Sequence, residues 1–123
     1  MRFTAMANIF LLEDDKILSK GISIALKKDE HTVTAVYGYL EALQQYQKQK
    51  YDLFLLDINL PYENGYEVCR KIKQVMPVPI IFVTSRDTNA DELKSIQVGG
   101  IDFITKPYDT LILLEKIKRA LQL

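Results

Sequence analysis

Five short apolar runs, each of strand length, recur along this chain with helix-period stretches between them. They are "NIFLL" (8–12), "TVTAV" (32–36), "DLFLL" (52–56), "PIIFVT" (79–84) and "IDFIT" (101–105). Each is rich in β-branched, aromatic or leucine residues, and apolar runs of this kind suit strands covered on both faces, as in a parallel sheet. The segments between them place apolar residues three or four positions apart. Residues 16–28 carry Leu18, Ile22, Ala25 and Leu26 on one stripe, and 39–49 carry Leu40, Leu43 and Tyr46. Residues 66–76 carry Val68, Ile72 and Val75, 89–98 carry Leu93 and Ile96, and 108–122 carry Leu114, Ile117 and Leu121. Asp15 reads as the N-cap of the first helix. Strict strand–helix alternation predicts an α/β sandwich on a parallel sheet. Right-handed crossovers then place helices on both faces. Five units are too few to close an eight-stranded barrel.

A chain of 123 residues is the size of one domain. Residues 1–6 read as a loosely held extension, with Met6 as a second candidate start, and 7–123 as the domain. The 16 basic and 16 acidic residues cancel. The basic excess or stripe of a nucleic-acid binder is missing, so any contact with DNA is expected to come from outside this chain. The tyrosines do not interleave with basic residues as a stacking surface would. One cysteine, Cys69, allows neither an intrachain disulfide nor a cysteine-based metal cluster. This fits a reducing cytoplasm. No apolar run approaches the roughly 20 residues of a membrane span.

Ligands of an open parallel sheet gather beyond the carboxyl ends of its strands. There the sequence places Glu13-Asp14-Asp15 after the first strand, Asp57 after the third, Thr84-Ser85 after the fourth and Lys106-Pro107 after the fifth. Acids from two strands converging on one edge repel one another, which raises at least one pKa unless a cation intervenes. Hard oxygen ligands without His or Cys suit Mg²⁺, which favours carboxylates plus phosphate. A lysine and a hydroxyl from neighbouring strands complete a phosphate-sized site. Phosphoryl transfer asks mainly for positioning and charge neutralisation, and a carboxylate can itself be the nucleophile. His31 and Cys69 read as structural, with His31 expected in solvent. Gly65 is expected to take a positive φ or to ease the start of the third helix.

Taken together, "IFLLEDD", "DLFLLDINLPYENG", "PIIFVTSRD" and "GGIDFITKP" resemble the receiver domain of two-component response regulators, most of all those that precede a winged-helix DNA-binding domain. The resemblance spans residues 7–122. It implies a flavodoxin-like (βα)5 fold with strand order 2-1-3-4-5. It implies that Asp57 is the phosphoacceptor and that Mg²⁺ is held by Asp14, Asp57, the backbone carbonyl of Asn59 and, through water, Glu13. Thr84 would be the switch hydroxyl, Phe103 the switch aromatic and Lys106 the phosphate-contacting lysine, followed by a cis bond to Pro107. Asn59 and Arg86 would tune hydrolysis. The phosphodonor would be a sensor histidine kinase. The face made by the fourth helix, fifth strand and fifth helix would change shape, support a phosphorylation-dependent homodimer, and act on an output domain outside these residues.

The chain departs from that pattern on the same face. Glu92, Ile101 and Ile112 stand where a basic residue, an acid and a glutamate are usual, whereas Asp102 and Lys116 keep the usual charges. Ile101, Leu111 and Ile112 are therefore candidates for an apolar partner surface. Three other readings compete. A stand-alone receiver would signal by protein contact alone. A Mg²⁺-dependent aspartyl-phosphate hydrolase would usually carry an acid at position 59 and a cap domain. A degenerate receiver would lack part of the acidic set.

Overall fold

The computed structural model describes residues 6–60, 63–84, 97–106 and 108–122. Five strands form one parallel sheet: β1 (Asn8–Leu12), β2 (Thr32–Val36), β3 (Leu53–Asp57), β4 (Ile80–Thr84) and β5 (Asp102–Thr105), in the order β2-β1-β3-β4-β5. Four helices are described: α1 (Lys16–Lys28), α2 (Tyr39–Gln45), α3 (Gly65–Val75) and a C-terminal helix (Thr110–Leu121). The flavodoxin-like expectation, including the strand order, holds. The helix expected over 89–98 falls almost wholly outside the described residues. A two-residue antiparallel ladder, Asn59–Leu60 with Glu63–Asn64, follows β3 and was not anticipated, because two residues carry no periodicity.

The alternation along each strand explains why the runs are apolar throughout. Phe10, Leu12, Phe54, Leu56, Ile80 and Phe82 face one core layer with Ala42 of α2 and Val68, Cys69 and Ile72 of α3. Ile9, Leu11, Leu53, Leu55, Ile81 and Val83 face the other, with Ile22 and Leu26 of α1 and Leu113, Ile117 and Ala120 of the C-terminal helix. Successive side chains of a strand point to opposite faces, so a sheet covered on both sides needs apolar residues at every position. Burying each such side chain contributes about 1.5–3 kcal/mol.

Caps set the helix starts. Asp15 Oδ1 accepts the Ile17 and Leu18 amides at 3.0 and 3.1 Å, as expected. Asp109 Oδ1 does the same for Leu111 and Ile112 at 2.8 and 3.2 Å. Each cap is worth about 1 kcal/mol. Gly65 is the first helical residue of α3, in line with easing that start. Three expectations need correction. Leu40 and Val75 point to solvent, because Ala42 of α2 and Tyr66 and Cys69 of α3 take the buried positions. His31 is buried rather than solvated, since its Nδ1 accepts the Ala7 amide at 3.1 Å.

Candidate functional site

Strand register assembles the site. Leu12 pairs with Leu56, so Glu13 and Asp57, each one residue further on, leave β1 and β3 side by side. Asp57 pairs with Val83 and Thr84 with Thr105, which brings Thr84 and then Lys106 to the same edge. The Lys106 amide donates to the Thr84 carbonyl at 2.7 Å and fixes where its side chain starts. Four residues spread over nearly a hundred positions thus meet because parallel pairing aligns their strand ends.

Glu13, Asp57 and Thr84 are buried, and Asp14 is partly exposed. One carboxylate oxygen from each of Glu13, Asp14 and Asp57 lies within 4.8 Å of the others. Lys106 Nζ enters this cluster, 2.7 Å from Glu13 Oε1 and 3.1 Å from Asp57 Oδ2. The second Glu13 oxygen accepts the Asp15 amide at 3.0 Å, which turns the side chain inward.

One ammonium does not balance three acids. Burial pushes the Glu13 carboxyl up to about 7, helped by the charge of Asp57 and opposed by Lys106 and the Asp15 amide. Burial works against the Lys106 ammonium, but its contacts with Glu13 and Asp57 outweigh that and raise its pKa. Burial also raises the Tyr108 hydroxyl, and the Glu13 charge adds to the effect. Tyr108 therefore belongs to the surroundings of the site, which sequence reading did not identify. Its place directly after Lys106-Pro107 was the available signal. This donor set fits a hard divalent cation: oxygen ligands only, close together, with net negative charge left over.

Of the other expected residues, Phe103 is partly buried on β5 and packs on the α2–α3 side of the sheet. The backbone of Asn59 lies in the short ladder after β3. Arg86, Glu92 and Pro107 lie outside the described residues. Asp102 and Lys116 pair with each other at 3.0 Å. Ile101, Leu111 and Ile112 are exposed, as the apolar-surface reading requires.

A family model, the response regulator receiver domain, matches residues 9–118. The chain belongs to this family. It is a receiver domain, a signalling protein rather than an enzyme in the ordinary sense. The receiver is 34% identical over 117 residues to Response regulator ArlR of Staphylococcus epidermidis, covering 95% of this chain and 53% of that protein. ArlR of Staphylococcus aureus is 33% identical over the same span. The chain thus spans about half the length of these curated relatives. Among solved structures, the response regulator DrrB, a Thermotoga maritima OmpR/PhoB homolog, superposes with a TM-score of 0.87 at 31% identity, over 95% of this chain and 53% of that one. The BeF3-activated N-terminal receiver domain of Klebsiella pneumoniae RstA gives 0.88 at 29%, over 94% and 99%. No helix among the described residues is long and apolar enough to cross a membrane.

Proposed function

We propose that this receiver takes a phosphoryl group from a sensor histidine kinase onto Asp57 and relays the change to an output. The observation that carries the proposal is Asp57 itself: a buried carboxylate at the end of the central strand, 3.1 Å from Lys106 and grouped with Glu13 and Asp14. An Asp57 oxygen attacks phosphorus, the P–N bond of the phosphohistidine breaks, and the imidazole leaves. Lys106 moves from the carboxylate to a phosphoryl oxygen, and Thr84 donates its hydroxyl to another. Asp14, Asp57 and the Asn59 carbonyl would hold Mg²⁺, with Glu13 reaching it through water, as the family resemblance implies. When bound, the ion neutralises the acids and the charge on the transferring group.

Thr84 and Phe103 form the switch in this reading. Alternation along β4 puts Thr84 on the face of Phe82, and Phe82 is the register partner of Phe103. Inward movement of the Thr84 hydroxyl toward the phosphoryl group makes room for the Phe103 ring, a local change biasing a two-state element. Hydrolysis, tuned by Asn59 and Arg86, resets it. The domain corresponds to residues 7–123, with 1–6 as an extension, and works in the cytoplasm. Likeness to an OmpR/PhoB homolog supports a DNA-binding output and a phosphorylation-dependent homodimer through the fifth strand and the helices beside it. A stand-alone receiver is the alternative.

Incubation with acetyl phosphate and Mg²⁺, followed by intact mass, tests the chemistry. Wild type gains one phosphoryl group, and Asp57→Ala gains none. Equal labelling of both would overturn the assignment of Asp57.

A further inference from the structure

Phe103 is held by more than packing. Asp102 Oδ1 accepts the Phe103 amide at 2.8 Å and lies 3.0 Å from Lys116 Nζ. Lys116 Nζ donates to the Phe103 carbonyl at 2.7 Å, and stands 5.7 Å from the centroid of its ring. One ion pair therefore brackets both backbone groups of Phe103 and sets a cation beside its ring.

The route of Lys116 makes this more than a surface salt bridge. The C-terminal helix that carries it packs on the α1 side of the sheet, whereas Phe103 packs on the α2–α3 side. β5 is the last strand of the described sheet, so Lys116 reaches round that edge and joins the two faces there. Phe103 and Lys116 also line one cleft of about 360 Å³ with Thr105, Tyr108 and Ile112. At the same edge Lys106 contacts the Asp57 carboxylate.

We propose that Lys116 is a positioning residue of the switch: with Asp102 it holds Phe103 in the arrangement described here and ties that arrangement to the C-terminal helix. The proposal rests on the reading of Asp57 and Phe103 given above. A contact shifts a two-state equilibrium only if it differs between the states. If the ring leaves Lys116 on phosphorylation, removing the ammonium favours the phosphorylated arrangement. By linkage it then tightens binding of a phosphoryl mimic.

The test is a titration of the chain with beryllium fluoride and Mg²⁺, followed by NMR of fluorophenylalanine-labelled protein. Phe103→Leu assigns the Phe103 signal, and circular dichroism checks the fold of each variant. Lys116→Met, which keeps the stem and drops the charge, is expected to tighten binding about two- to five-fold, the scale of one exposed cation–aromatic contact. It should also move the Phe103 signal of the free protein toward its bound position. Lys116→Arg should restore both. In wild type, a nuclear Overhauser contact between the Phe103 ring and the Lys116 stem should vanish on binding. Unchanged affinity and signal in Lys116→Met, or a contact that persists in the bound form, would overturn the inference. Failure of wild type to bind the mimic, or binding that survives in Asp57→Ala, would instead overturn the underlying reading.

Discussion

The two ends of β1 carry polar residues of similar kinds and treat them in opposite ways. At the amino end, the Asn8 amide donates to Asp52 Oδ2 at 2.8 Å, and Asn8 Nδ2 donates to the Lys50 carbonyl at 3.3 Å. There His31 Nδ1 accepts the Ala7 amide, and the Asp52 amide donates to the Asn8 carbonyl at 2.7 Å. Side chains close off backbone groups, and the carboxylate there meets neutral donors. At the carboxyl end, Glu13, Asp14 and Asp57 crowd together with Lys106 between them. The first end is finished by its own hydrogen bonds. The second keeps uncompensated charge, and such a surplus marks a place built for something else to bind.

Lys106→Met should widen that contrast most. It leaves Glu13 and Asp57 buried without their ammonium, and breaking a buried pair in this way costs about 3 kcal/mol or more. Denaturant melts without metal should show the loss, and Mg²⁺ should recover part of it. If Mg²⁺ made no difference, the cluster would not be a cation site.

Glu13→Gln acts in the opposite direction, stabilising the metal-free protein by about 1 kcal/mol at pH 8, within the range of ordinary stabilising substitutions. The sign follows from proton linkage. The Glu13 carboxyl titrates near 7 when folded against an ordinary 4.5, so the folded chain holds that proton more tightly. The resulting stability is fully present below about pH 4.5 and is lost as pH rises through about 7. Thermal melts in chelator should therefore show the variant gaining on wild type between pH 5.5 and 8. A gap that does not change with pH would remove Glu13 from the charge imbalance.

Asp52→Ala samples the finished end. Losing the acceptor of the Asn8 amide should cost about 1 kcal/mol, equally with and without Mg²⁺. A metal-dependent cost there would erase the distinction between the two ends. The smallest effect concerns Cys69, buried in the α3 core layer with its thiol directed at the Val98 carbonyl at 3.3 Å. Burial pushes that thiol up to about 11, so iodoacetamide at pH 8 should label it only after unfolding. Rapid labelling of the native protein would show that this layer opens.

Most of the architecture was legible because it rests on local periodicity. β1, β2 and α1 lie where the pattern placed them, and each chemically useful strand end was visible as a carboxylate, hydroxyl or lysine closing an apolar run. What misled was choosing among candidate stripes. In α2 the periodic Leu40 is exposed and Ala42 is buried, because the direction a helix faces is decided by its neighbours rather than by its own hydrophobicity. His31 was misplaced for a related reason. A lone histidine beside a turn looks solvated until the Ala7 amide, 24 residues away, supplies its partner.

The sequence by itself determined the alternation, the double-sided greasiness of β3 and the residue types at each strand end, since these depend on neighbours within a few positions. Only the tertiary structure decided that Lys106 sits between Glu13 and Asp57, that Tyr108 feels Glu13, and that Lys116 crosses the sheet edge to Phe103. Those facts depend on strand register and helix docking, where one residue of slippage would turn each side chain to the other face.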